Sequence, residues 1–387
     1  MLLVPPLAAA SPAEPELLLT TSGEWRAPGE SKIERVEFAL REPNAKLVLH
    51  FTARLTAGQG TLRVLDPAGR ALCEHAFERR LALSATVLGP VEQTGQAVLE
   101  LSTQDAVGQW RAMVLRLPPP RELLRLLPAG PLMILVALGF TLGSWYWSRA
   151  RWRWWWAGAG VWAVGVGLKI GWALLLNKPI LHGLEAVLPR TAYVIVGGLY
   201  VGVLTGIFEI GATYLAARIW RRLAATAPRA MFVGVGAGSF EAVLLGTVGL
   251  AGTLVVVSGL PGTEPALAAV ALVPATTPVV WLVSPVERVI AILCHVSSRT
   301  LVLLGVATHR SSRFWYGFLL LTAVDAIAGV AHVSGQLGWF SLWWLELAIA
   351  PLAVLSVPAT LWCLRHWPAD TPPREAAADS TAPVVTD

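Results

Sequence analysis

Four ionisable residues stand inside long apolar runs, one in each run. Glu209 lies in "VGVLTGIFEIGATY", Glu241 in "GVGAGSFEAVLLG", His295 in "PVERVIAILCHVSSRTLVLLG" and Asp325 in "RFWYGFLLLTAVDAIAGV". A charge at membrane depth costs ~2.5 kcal/mol or more, so it is kept where it is paired or where it acts. Glu241 sits about 10 residues into its run, roughly 15 Å deep at ~1.5 Å per helical residue. The other three sit near the middle of theirs. Arg288, His295 and Arg299 share one helical face, at offsets of 7 and 11 residues. Acidic helices opposite a basic one give each buried charge a partner. Such a set is compatible with a polar site, with ion pairs that only fix helix register, or with a proton path.

Small residues accompany the acids. Gly202 and Gly206 share a face with Glu209, and Gly234 and Gly238 do so with Glu241. This spacing lets helix backbones touch, and it predicts that Glu209 and Glu241 face each other across a tight helix pair. The glycine runs follow no strand, so they are packing surfaces rather than phosphate loops. Lys169 reads as a snorkelling cation near the outer end of its run, and Glu346 as a residue near an interface. No His-Glu-x-x-His and no Gly-x-Ser-x-Gly occurs. Cys73, Cys294 and Cys363 have no metal-type spacing. No metal and no cofactor is expected.

The elements that must hold these residues are membrane helices. The 387-residue chain is 55% hydrophobic and 14% charged, against about 25% charged in soluble domains. Apolar runs of about 20 residues fall at 131–147, 154–176, 191–217, 231–259, 286–306, 314–334 and 340–364. The stretch 265–283 is apolar but broken by Pro265, Pro274 and Pro278, and reads as a re-entrant or interrupted segment. Many of the 18 Trp residues crowd "SWYWSRARWRWWW", as befits a membrane interface. The Arg residues beside the runs are topology signals rather than a nucleic-acid surface. They place the loops at 149–153, 218–229 and 307–313 inside and the N-terminal part outside a plasma (inner) membrane.

The N-terminal part differs. Residues 17–118 alternate in short stretches with turn signals every ~10 residues, as in "AKLVLHFTARL" and "GTLRVLDPAGRAL". About seven strands in a β-sandwich are expected there. The expected organisation is a possible signal peptide or disordered start at 1–16, an extracytoplasmic β-sandwich at 17–118, a linker at 119–130, a polytopic α-helical domain of about seven to eight membrane helices at 131–366, and a disordered, cytoplasmic tail at 367–387.

In their order and spacing, "GIFEIGATY", "GVGAGSFEAVLLG", "ERVIAILCHVSSRTLVL" and "LTAVDAIAGV" resemble the YhfC-like intramembrane proteases. Those are relatives of the PrsW and CAAX-prenyl-protease families, described as glutamic-type. The resemblance covers about 190–330. Phe208 and Glu209 match the first motif, where Ile210 and Thr213 replace a Glu and an Arg. Gly236, Gly238 and Glu241 match the second, where Ala237 replaces a His. Glu287, Arg288 and His295 match the third in full. Asp325 matches the fourth, where Leu321 replaces a His.

The resemblance implies hydrolysis of peptide bonds in a membrane protein or lipidated peptide. That chemistry needs an activated water, an oxyanion stabiliser and a proton donor. Glu209 or Glu241 would pair with His295, Asp325 would orient His295, and Arg288 or Arg299, with Glu287, would compensate charge. The four replaced positions keep open a catalytically inactive relative that scaffolds or binds a partner. A proton-coupled transporter is a third reading, but the two halves show no inverted repeat.

Overall fold

The computed structural model describes residues 16–26, 31–118, 120–260, 262–335, 337 and 339–368. The expected leader, save residue 16, and most of the expected tail lie outside the described residues. The chain divides into two compact units.

The first unit comprises residues 1–128, 249–281 and 338–341. Its strands are β1 (Leu17–Trp25), β2 (Ser31–Leu40), β3 (Ala45–Leu65), β4 (Ala71–Phe77), β5 (Arg80–Val91) and β6 (Gly95–Arg116). Six strands stand where about seven short ones were expected, because β3 and β6 run on for 21 and 22 residues. They pair antiparallel along their length in one connected sheet. On the outer edge of β6 lie β1 and β2, and on the outer edge of β3 lie β5 and β4. Register shifts between Leu55 and Gln59 interrupt the β3–β6 ladder. A bulge there bends the sheet. Side chains from both sides of the bulge share one core: Phe51 lies 6.3 Å from Phe77, and Trp25 lies 6.2 Å from Trp110.

The run Leu47–Phe51 is buried throughout because both faces of β3 are covered. Leu47, Leu49 and Phe51 enter the main core. Val48 packs on the other face with Met113, Leu115, Ala268 and Leu272. The last two belong to the 13-residue helix Glu264–Thr276. This helix is too short to span a bilayer, which needs about 20 residues. Its apolar character is explained by the strand face it covers, and Lys46 Nζ lies 3.6 Å from Glu264 Oε1. The expected turn at 66–69 is present. Asp66 Oδ1 accepts from the Ala68 and Arg70 amides, and Gly69 takes φ 79°.

Among the described residues, seven helices are long and apolar enough to cross a membrane: Leu123–Ser148, Arg153–Val187, Arg190–Ile219, Ala227–Val257, Val280–Thr308, Ser311–Ser334 and Trp343–Arg365. The second unit, residues 129–248, 282–337 and 342–387, holds most of their length. Within these runs the regular helices are α1 (Ala129–Ser148), α2 (Arg153–Trp172), α3 (Lys178–Val187), α4 (Arg190–Thr205), α5 (Gly211–Ile219), α6 (Ala227–Val257), with α7 the short helix of the first unit, then α8 (Val283–Thr308), α9 (Ser311–Ser334) and α10 (Trp343–Arg365). Burial marks α8 as the centre: 78% of its most apolar stretch is buried, against 17–44% in the other six. The outer faces of the others carry exposed Trp147, Trp156, Leu174, Trp344 and Val354, the surface a lipid environment accepts.

Glycine decides which helices touch. A Cβ on Gly202 would lie 2.3 Å from the Thr322 carbonyl oxygen, and one on Gly206 would meet Phe318 and Thr322, so α4 is pressed against α9. Gly234 and Gly238 meet Val296, His295 and Ile292 of α8. The expected Glu209–Glu241 helix pair is therefore corrected: each glycine pair packs against a different neighbour. The tightest α6 crossing is with α2, where a Cβ on Gly236 would lie 2.0 Å from the Trp155 carbonyl oxygen.

Candidate functional site

Within the second unit, a cavity of about 330 Å³ is lined by side chains of α2, α4, α6, α8, α9 and α10. The four residues singled out from the sequence, Glu209, Glu241, His295 and Asp325, all line it. They belong to one continuous chain of contacts. Asp325 Oδ2 lies 3.5 Å from Lys169 Nζ, which donates to Glu209 Oε1 at 2.6 Å. Glu209 Oε2 accepts from Arg299 at 3.3 Å, and Arg299 also donates to His295 Nδ1. His295 Nε2 stands 2.8 Å from Glu241 Oε2, Glu241 Oε1 accepts from Arg288 at 2.6 Å, and Arg288 also binds Glu287. Acids and cations alternate along this path, with the His295 ring inserted between Arg299 and Glu241. That order lets two kinds of charge share a low-dielectric site.

Local structure sets each position. Glu209 lies in a five-residue π-helical segment, Gly206–Ile210, between α4 and α5. The extra residue per turn of such a segment re-aims side chains, and π segments recur at functional sites. Glu209 is buried, and the Thr213 hydroxyl donates to its backbone carbonyl at 2.9 Å. On α8, Arg288, His295 and Arg299 follow the helical period and point to one side, as their offsets predict. Because a guanidinium can only donate, Nδ1 of His295 accepts from Arg299 and the ring proton sits on Nε2, directed at Glu241. Trp162 Nε1 also donates to Glu241 Oε2, at 3.0 Å.

Two expectations change. Asp325 does not orient His295; Arg299 holds that ring, while Asp325 accepts from the Thr205 hydroxyl and faces Lys169. Lys169 does not snorkel. The second span runs to Val187, past the end expected at 176, so Lys169 is placed at mid-span and pairs inward with Glu209. The helical spacing of Ile180, Leu181, Leu184 and Val187 after Asn177 is the signal for this. Trp162 and Thr205 escaped sequence reasoning altogether, since an indole or a hydroxyl in an apolar run has no distinguishing pattern. Gly202, Gly206, Gly234 and Gly238 serve helix packing beside the cavity.

Fold and cavity together define a class: a multi-pass α-helical membrane protein with a charged, histidine-containing cavity enclosed by its helices, preceded by an antiparallel β-sheet region. The family model described as YhfC intramembrane metalloprotease matches residues 132–349. The chain belongs to this family. The match takes in all seven residues of the contact chain on α4–α9 together with Lys169, and stops short of the β-sheet region. No curated protein matches the chain.

A metalloprotease needs several side chains with free lone pairs converging on one point. Among the described residues no group of three His, Cys, Asp or Glu side chains could hold a metal ion. The donors that do converge are already engaged. Both oxygens of Glu209 and of Glu241 face cations or N–H donors, and both nitrogens of His295 are taken. Where the family resemblance has further Glu and His residues, this chain has Ile210, Ala237 and Leu321, all buried and apolar. In this arrangement the residues do not fit a resident divalent cation.

Proposed function

We propose that this protein receives a peptide segment of a membrane-associated substrate in the cavity, and that Glu241 and His295 form its hydrolytic pair. The observation that carries the reading is the 2.8 Å contact between Glu241 Oε2 and His295 Nε2 at the wall of a cavity flanked by cations. In this reading a water bound beside Glu241 gives its proton to the carboxylate as it attacks the peptide carbonyl. Arg288 and Lys169 stabilise the oxyanion that develops. As the C–N bond breaks, Glu241 passes the proton it took from water to the leaving amine and returns to the carboxylate. The His295 Nε2–H, held in that tautomer by Arg299, steadies the Glu241 charge on either side of the transfer. Asp325, a third of whose side chain is accessible, holds Lys169 in place.

One observation favours a second reading, a catalytically inactive relative that binds a partner. Every oxygen of Glu241 and every nitrogen of His295 already has a protein partner, so a water must displace one of them before it can be activated.

We further propose that the protein sits in the plasma membrane with the β-sheet region outside. Seven crossings put the Arg-rich loops at 149–153, 218–229 and 309–313 and the segment after Arg365 on one side. They put the β strands and the short helix Glu264–Thr276 on the other. Cysteine labelling of an Ala225→Cys variant from outside would reverse this orientation.

The decisive experiment is cleavage of a single-span substrate by the parent, Glu241→Gln and His295→Ala, with thermal stability in detergent as control. Glutamine keeps the size of glutamate but accepts no proton. Cleavage by the parent that is lost in two folded variants supports hydrolysis. Equal cleavage by all three removes the pair from the mechanism. No cleavage by the parent, with a substrate still bound, selects the partner-binding reading.

A further inference from the structure

The hydrolytic reading leaves one buried acid unused. Glu346 stands in the first turn of α10, is 5% exposed, and lines the same cavity. Its Oε2 is buried and has no hydrogen-bond partner, and no described residue forms an ion pair with either of its oxygens. Every other carboxylate of the cavity has a cation within 4 Å. A carboxylate removed from water without a donor is strongly disfavoured.

The charge around it is lopsided. Five carboxylates line the cavity, against Lys169, Arg288 and the His295 ring, with Arg299 behind. With the His295 ring neutral, five carboxylates face three cations, and Lys169 and Arg288 are each shared by two acids. Accessibility has the same bias. The side chains of Glu287 and Asp325 are 42% and 34% accessible, whereas Arg288 is 6% and Arg299 0%. Two cations, Arg288 and Arg299, are turned into the protein, and two acids, Glu287 and Asp325, are the most accessible charged groups of the cavity; Lys169 at 25% and Glu209 at 4% depart from this bias. That space equals about ten water molecules' share of liquid volume, enough for a long side chain.

We propose that the cavity selects peptide segments carrying a basic side chain within the membrane, with Glu346 as the residue that receives the ammonium or guanidinium group. This rests on the reading that a peptide segment enters the cavity, whether or not it is then cleaved. A Lys or Arg in a membrane helix is as disfavoured in lipid as Glu346 is in its pocket. Their meeting relieves both. An ammonium brings three donors and a guanidinium five, and a charge-assisted bond to a carboxylate is among the stronger hydrogen bonds. Glu287, also on the cavity wall, offers a second acceptor.

The test uses the full chain in phosphatidylcholine nanodiscs and two fluorescent single-span peptides, identical except for Lys or Met at the central position. The parent is expected to bind the Lys peptide about tenfold more tightly. Glu346→Gln should bring the two peptides within about threefold, and Glu346→Asp, which keeps the charge, should restore the preference. The melting temperature of each variant verifies that the fold is kept. Equal binding of both peptides by the parent overturns the proposal, as does a preference that survives in Glu346→Gln. So does a dependence on Glu346 that emerges only when phosphatidylethanolamine is added, since that would assign the acid to a lipid amine. Because the readout is binding, a parent that never cleaves still tests the proposal. A parent that cleaves the Met peptide and the Lys peptide alike refutes it while leaving hydrolysis intact.

Discussion

The two units place charge in opposite ways. In the β-sheet unit the core is aromatic and aliphatic, and ion pairs such as Arg63–Glu74 lie on the surface with 46% and 49% of each side chain accessible. In the helical unit the surface is apolar, and the ion pairs lie inside, with Arg299 and Glu209 at 0% and 4%. A surface pair competes with water and salt and contributes little. An interior pair has no water to fall back on, so removing one member leaves the other stranded. The difference teaches that a salt bridge has no fixed worth; its surroundings set it.

The most severe break of this contrast is Arg299→Met. It leaves Glu209 with Lys169 as its remaining cation and Nδ1 of His295 without a donor, and should cost about 3 kcal/mol, read as a large fall in thermal stability in detergent. A fall no greater than that of a surface variant would mean water reaches the interior pairs.

The next effect lies in the β-sheet unit, at the buried group that is an exception to its pattern. His50 is 5% exposed, lies 4.6 Å from Trp339, and has no partner for either nitrogen. Burial pulls its pKa from 6.5 down to about 4. Between those values the unfolded chain binds the proton and the folded chain does not, so the unfolded state gains as pH falls. Stability of this unit should therefore decline as pH drops from about 6.5 to about 4 and level off below, by on the order of 3 kcal/mol. Hydrogen exchange of the β3 amides across this range measures it. His50→Leu should flatten the pH dependence above the carboxylate range; an unchanged slope assigns it to other groups.

Smaller still is Gly236→Ala. Its Cβ would lie 2.0 Å from the Trp155 carbonyl, and forcing two helices apart should cost ~1–3 kcal/mol. Gly249→Ala, with nothing within 4 Å, should be tolerated. Equal melting temperatures would show that α2 and α6 slide freely. The smallest expected effect is Arg63→Ala, whose pair is exposed: no change beyond measurement error in urea unfolding of the β-sheet unit.

Much of this protein is legible along the chain. Composition and runs of about 20 apolar residues identify membrane helices, because a bilayer imposes one length on every span. The seven spans, the strand-rich start and the family motifs follow from local pattern. So do Glu209, Glu241, His295 and Asp325, because a charge in an apolar run is costly and therefore conspicuous. What local pattern cannot carry is which charge meets which. Lys169 looked like an end-of-span cation and turned out to be the partner of Glu209. The sequence pattern points Asp325 at His295, whereas it accepts from Thr205 and faces Lys169. The two glycine pairs were matched to each other and pack against α9 and α8. Even the apolar stretch after Pro265 was read against lipid, when its hydrophobic face is covered by β3 and β6. Each of these is a contact between residues far apart in sequence, set by helix crossing and rotation. Only the packed tertiary structure decides those, because many helix pairings satisfy the same apolar pattern, whereas a buried charge is paired only when particular helix faces meet.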